Sequence, residues 1–126
     1  MTREEVKKLI EVYGKAWETQ DPELITTIFT DDATYHDPRE PENSGIDAIK
    51  EYWVYKVVGE QKDIHFHLRN LWIDGTTAIA EWDADFIDTK RNLKIAMSEV
   101  AIFEMRDGLF SSLREYYKTI KTPLES

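Results

Sequence analysis

The sequence predicts an α+β fold with helices first and strands after. Three observations carry that reading. Apolar residues recur at three- and four-residue spacing through the first part of the chain, to about residue 58. From Lys62 onward they alternate at a spacing of two. Asp74-Gly75 and Asp107-Gly108 then punctuate the second half as hairpin turns.

The first helix is expected over residues 3–18. Val6, Leu9, Ile10, Tyr13 and Trp17 form its buried face, and Thr2 with Glu5 forms a capping box. Asp21-Pro22 starts a second short helix, with Asp21 at the N-cap. Its apolar face is Leu24, Ile25, Ile28 and Phe29. Asp31-Asp32 reads as a tight turn, because both side chains can bond nearby backbone. A short strand follows, with Ala33, Tyr35 and Asp37 on one face and Thr34 and His36 on the other. Pro38 ends it. Residues 39–43 read as a polar loop. Ser44 caps a third helix over about residues 45–58, burying Ile46, Ile49, Trp53 and Val57 and stopping at Gly59.

Ile64, Phe66 and Leu68 open the strand region, but Leu71 and Ile73 continue it in the opposite phase. A bulge near Arg69-Asn70 absorbs the slip. With Asp74-Gly75 as a two-residue turn, Ile73 faces Thr76 and Leu71 faces Ala78. Beyond the bulge, Phe66 and Leu68 share a face with Trp82, Ala84 and Phe86, and His65, His67 and Arg69 lie beside Asp85, Asp83 and Glu81. A turn around Lys90-Arg91 sets Ala84 opposite Met97 and Trp82 opposite Glu99, on a strand of about residues 93–104. The last strand, about 109–119, places Leu113, Glu115 and Tyr117 on one face, and residues 120–126 read as a frayed tail.

The chain has 126 residues, most simply one domain over residues 1–126. It is 41% apolar, with no apolar run long enough to span a membrane. The amino terminus passes straight into a charged amphipathic helix without a signal segment. There is no cysteine, which excludes disulfides, thiol catalysis and cysteine-ligated zinc. These features together point to the cytoplasm. The net charge of −9 repels phosphate, so no nucleic-acid partner is expected.

Chemistry is signalled at two places. Asp37 ends a strand on the same face as Tyr35, a carboxylate beside a tyrosine; the alternative is the first residue of an Asp-Pro turn. Glu99 falls within an apolar run, where desolvation favours the protonated acid. His65 and His67 alternate opposite acidic residues; this is either a metal-binding pattern or a charged, solvated face. His36 stands alone and carries no role.

Several stretches together resemble the nuclear-transport-factor-2-like (SnoaL-like) superfamily. They are Tyr13…Trp17…Asp21-Pro-Glu-Leu, Phe29-Thr-Asp-Asp-Ala-Thr-Tyr-His-Asp-Pro38, Gly45-Ile-Asp-Ala-Ile49 and Leu113-Arg-Glu-Tyr-Tyr117. The resemblance runs over about residues 4–119. It implies a curved, mainly antiparallel sheet packed on three helices around a conical pocket, and commonly a homodimer through the convex sheet face. On it, Tyr13, Trp17, Tyr35, Asp37, Trp53, Trp82, Met97, Glu99, Glu115 and Tyr117 line or close the pocket.

Three of these positions look like the Δ5-3-ketosteroid isomerase branch. There Asp37 matches the catalytic base, Tyr13 the oxyanion tyrosine and Glu99 the protonated acid. The chain departs from that branch in having Glu99 for an aspartate, Trp53 for a supporting tyrosine, and Glu115 where a small apolar residue stands. The implied function is isomerase- or cyclase-like acid–base chemistry on a small apolar carbonyl compound, with no cofactor. One enzyme alternative divides acid and base roles among Asp37, Glu99 and Glu115 to add water or cyclise a polyketide. The other reading is a non-catalytic module that binds a small ligand or a protein in the same cone.

Overall fold

In the computed structural model, which describes residues 1–125, three helices pack on one six-stranded sheet. The helices are α1 (Arg3–Glu18), α2 (Pro22–Thr26) and α3 (Ile46–Trp53). The strands are β1 (Phe29–His36), β2 (Asn43–Ser44), β3 (Gln61–Asp74), β4 (Thr77–Asp88), β5 (Leu93–Arg106) and β6 (Leu109–Pro123). The sheet runs β2-β1-β6-β5-β4-β3. Every neighbouring pair is antiparallel except β1 and β6, which run parallel.

Helix α1 carries the expected capping box, with Thr2 and Glu5 bonding each other's backbone. Its buried residues Val6, Ile10, Tyr13, Gly14, Ala16 and Trp17 lie against the sheet. Gly14 lets α1 approach β3: a Cβ there would lie 2.3 Å from Phe66 Cδ1. Asp21 caps α2 through Oδ1, which accepts from the Glu23 and Leu24 amides.

Several expectations change. Phe29, Asp31 and Asp32 belong to β1 rather than to a helix end and a turn. Phe29 pairs with Phe110 and Thr34 with Ser112, so β1 uses more residues than β6 over this step. The excess bows outward, and Thr30 and Arg106 supply the bonds to Asp32 that a turn would have supplied locally. Asn43-Ser44 forms β2 rather than loop and cap, because its backbone pairs with Tyr35 and Thr34. Gly45, at φ 90°, stands at the N-cap of α3 without a side-chain bond. Regular α-helix ends at Trp53, and a π-helical turn, Val54–Val58, still buries Val57.

The hairpin between β3 and β4 turns at Gly75-Thr76, so Asp74 faces Thr77 and Ile73 faces Ala78. Gly75 holds the positive φ, 60°, that the turn demands. The bulge does fall at Arg69: Leu68 pairs with Trp82 and Asn70 with Glu81. His65 and His67 therefore face Asp85 and Asp83, while Arg69 reaches Asp83 rather than Glu81. The pairs Ala84–Met97 and Trp82–Glu99 form as expected. Residues 120–123, expected to fray, continue β6 because Leu93, Lys94, Ile95 and Ala96 pair with them. Ser126 lies outside the described residues.

Candidate active site

The concave face of the sheet and the helices enclose a cavity of about 260 Å³. Its apolar wall includes Trp17, Trp53, Val57, Phe86, Ile95 and Met97. Its polar residues separate into an inner group and a mouth.

The inner group is a set of carboxyls and hydroxyls on neighbouring elements. Glu115 and Tyr117 share a face of β6, Tyr35 comes from β1, Glu99 from β5 and Tyr13 from α1. Tyr13 and Tyr35 both donate to Glu115 Oε1, at 2.8 and 3.0 Å, and their hydroxyls lie 3.2 Å apart. Both donors sit on one oxygen, so Oε2 has no tyrosine partner. Burial and then the Asp37 charge push Glu115 up to about 7, against the hydrogen bonds from Tyr13, Glu99 and Tyr35.

Glu99 is 3% exposed and Glu115 6%. Burial first, and the Glu115 charge second, hold Glu99 well above the usual carboxylate range. Glu99 is therefore the neutral acid of the pair. Its Oε2 is buried without a hydrogen-bond partner, as is the Trp53 indole N–H. Tyr13 and Tyr35 are also pushed up by burial and by Glu115, so both stay protonated.

Asp37, 4% exposed, lies next to this group. Its Oδ1 accepts from the Arg39 amide at 3.0 Å and from Tyr117 at 2.6 Å. Its Oδ2 accepts from Tyr52 at 2.7 Å. The Arg39 guanidinium donates through Nε to the Tyr117 hydroxyl at 2.8 Å and lies over its ring. At the mouth, Glu60 is buried among Lys56, Lys90 and Arg91, with separations of 3.4–3.9 Å.

Residues 9–113 match the family model of the SnoaL-like domain. The chain belongs to that family. No curated protein matches it. Among solved structures it is similar to a type 2 hexachlorocyclohexane dehydrochlorinase, at TM-score 0.84 and 17% identity, covering 98% of this chain and 88% of that one. It is similar to an LEH-like epoxide hydrolase of M. tuberculosis, at 0.75 and 18%, covering 90% and 83%. It is also similar to a protein of ketosteroid isomerase-like fold from Catenulispora acidiphila, solved with trimethylamine, at 0.79 and 17%, covering 87% and 85%. At these identities the likeness is one of fold.

In this SnoaL-like cone, Tyr13, Trp17, Tyr35, Asp37, Trp53, Met97, Glu99, Glu115 and Tyr117 all line the cavity. Trp82 does not. It is fully buried behind Glu99, packed between Tyr13, Phe66 and Phe103 at centroid distances of 5.1–6.2 Å. Tyr52 and Arg39 are the additions. Tyr52 follows Ile49 at helical spacing, so periodicity alone could have flagged it. Arg39 sat in a polar loop with no pattern to mark it. The histidines face away from the cavity: His65 pairs with Asp85 at 2.7 Å on the exposed side of the sheet. Among the described residues no cluster of three or more His, Asp and Glu side chains is arranged to hold a metal. Among the described residues no helix is long and apolar enough to cross a membrane.

Proposed function

We propose that this SnoaL-like protein is an enzyme that moves a proton next to the carbonyl of a small, mostly apolar compound. The observation that carries the reading is the buried pair Glu115 and Glu99. Burial pushes Glu115 up to about 7, and burial with the Glu115 charge pushes Glu99 well above the usual carboxylate range. Two carboxyls pushed to different proton affinities can divide base and acid roles, and a base poised near neutral pH is the efficient one.

In this mechanism Glu115 Oε2 takes the α-proton. The electron pair of the broken C–H bond forms the enol double bond, and the carbonyl electrons move to oxygen. That oxygen accepts hydrogen bonds from the unpartnered Trp53 N–H and from the Glu99 O–H, which turns from Glu115 to the substrate oxygen once Glu115 has taken the proton. In a β,γ-unsaturated carbonyl compound the enol is conjugated with that double bond, so return of the proton from Glu115 to the γ-carbon, with the remaining double bond shifting to the α,β-position and the carbonyl reforming, completes an isomerisation. Tyr13 orients Glu115, because its hydroxyl is already committed to that carboxylate. The apolar wall keeps water away from the charged intermediate.

The test follows α-proton exchange by NMR in D₂O over a panel of small ketones and aldehydes. Exchange by the wild type that is lost in Glu115→Gln supports the reading. Equal exchange in both proteins overturns it, and saturable binding with no exchange moves the assignment to a non-catalytic binding module.

A homodimer through the convex sheet face accompanies this proposal. Trp72, Ile79, Val100 and Tyr116 are exposed there on four neighbouring strands, in the registers Trp72–Ile79 and Val100–Tyr116.

A further inference from the structure

Asp37 lines the cavity, yet its carboxylate has little left to offer a substrate. The Arg39 amide and Tyr117 occupy Oδ1, and Tyr52 occupies Oδ2. These donors come from the segment after β1, from β6 and from α3, so the carboxylate is fixed from three sides. A general base needs a lone pair free to meet the substrate proton. Three donors instead hold the carboxyl group in place.

The sheet register sets where that charge sits. His36 and Arg114 form the last pair between β1 and β6; Asp37 follows directly after β1, and Glu115 is the next residue of β6. Both side chains are buried on the cavity face, Asp37 alongside Tyr35 and Glu115 alongside Leu113 and Tyr117.

We propose that Asp37 is a positioning residue that acts through Glu115: a locked negative charge that disfavours a second one on the neighbouring strand. Five other ionisable groups surround the two carboxyls: Tyr13 from α1, Tyr35 from β1, Glu99 from β5, Tyr117 from β6 and Tyr52 from α3. Arg39 adds a cation, bonded to Tyr117. Of these, Tyr13, Tyr35 and Glu99 hydrogen-bond Glu115 and pull it down, while burial and Asp37 push it up. Asp37 is thus the charge that offsets the three hydrogen bonds. The assignment rests on Glu115 as the proton carrier and gives Asp37 a different part from the base that the isomerase resemblance implies.

The experiment is a carboxyl ¹³C NMR titration of the free protein and of Asp37→Asn. Asparagine keeps an oxygen for Tyr117 and the Arg39 amide while removing the charge. The Glu115 midpoint should fall by about one pH unit or more in Asp37→Asn; an unchanged or higher midpoint overturns the proposal. If the variant does not fold, the wild type alone decides. A titration step at the Asp37 carbon coinciding with the Glu115 step means a shared proton rather than a fixed charge, and overturns it; an Asp37 carbon that does not move through that step supports it. Proton exchange supplies the second readout. In Asp37→Asn the acid limb of the exchange profile should move to lower pH together with the Glu115 midpoint. Loss of exchange at every pH, with the Glu115 midpoint unmoved, makes Asp37 the base and overturns the proposal. The titration needs no substrate, so its outcome is separate from that of the exchange assay on Glu115→Gln.

Discussion

Replacing Glu115 with glutamine should stabilise the protein at alkaline pH. Glutamine has nearly the same shape and keeps an oxygen for Tyr13 and Tyr35. The magnitude follows from proton linkage. Unfolded, the Glu115 carboxyl ionises at the ordinary value of 4.5; folded, it ionises at about 7. Between those values the folded state binds more protons than the unfolded chain, so raising the pH favours unfolding. Below 4.5 both states are protonated and the penalty is absent. It grows as the pH rises through the window and is complete above about 7. At about 1.4 kcal/mol per pH unit, it amounts to about 3 kcal/mol. With a urea slope of about 1–3 kcal/mol/M, that corresponds to a midpoint difference of roughly 1–3 M. The assay is urea denaturation of wild type and Glu115→Gln at about pH 4.5 and pH 8. The midpoints should nearly coincide at the lower pH and separate in favour of the variant at the higher one. Glu99 adds to the wild type's own decline in the same direction, and because the Glu115 charge is one cause of its shift, the variant relieves part of the Glu99 penalty as well. A variant no more stable than wild type at pH 8 would refute the burial of an ionisable Glu115 beside Asp37.

Three further outcomes are expected. Gly14→Ala should destabilise by about 1–3 kcal/mol, because its Cβ runs into the Phe66 ring; Phe66→Leu should restore part of that loss in thermal melts. Removing one hydroxyl from the Glu115 cradle, by Tyr13→Phe or Tyr35→Phe, should raise the Glu115 titration midpoint, read by carboxyl NMR; an unchanged midpoint would show that neither bond favours the ionised form. Sedimentation equilibrium at micromolar concentration should give a dimer, and Val100→Lys, which puts a charge in the middle of the exposed apolar band, should shift it to monomer.

Local patterns carried most of the architecture. The capping box at Thr2 and Glu5, the cap at Asp21 and the hairpin at Asp107-Gly108 depend on residues within a few positions of one another, and each stands where it was read. The pairing of Trp82 with Glu99 followed from one turn, because counting back from a correct turn fixes every rung of the ladder. The turn at Asp74-Gly75 failed by one residue. Asp-Gly and Gly-Thr are both serviceable there, and the long pairing with β4 on either side of the Arg69 bulge chose between them. The bowed segment in β1, the strand at Asn43-Ser44 and the extension of β6 to Pro123 were invisible for the same reason. Each is held by backbone bonds to a strand distant in sequence, which leave no trace in local composition.

For the cavity, alternation along a strand and spacing along a helix grouped Tyr35 with Asp37, Glu99 with Trp82 and Glu115 with Tyr117, and the family resemblance implied that these faces and Tyr13 line a pocket. They could not say which carboxyl each hydroxyl would choose. Tyr13 and Tyr35 bond Glu115 rather than Glu99, and Tyr52 and Tyr117 bond Asp37. Those choices depend on how α1, α3, β1, β5 and β6 converge in space, where a shift of about an ångström makes or breaks a hydrogen bond. Residue types and periodicity set which ionisable groups share a face, and the family resemblance implied that those faces line the cone. Only their assembly at the meeting of five elements separates the carboxyl that titrates near neutrality from the one that stays neutral and the one locked by its donors, because burial, neighbouring charge and hydrogen bonding act through distance rather than along the chain.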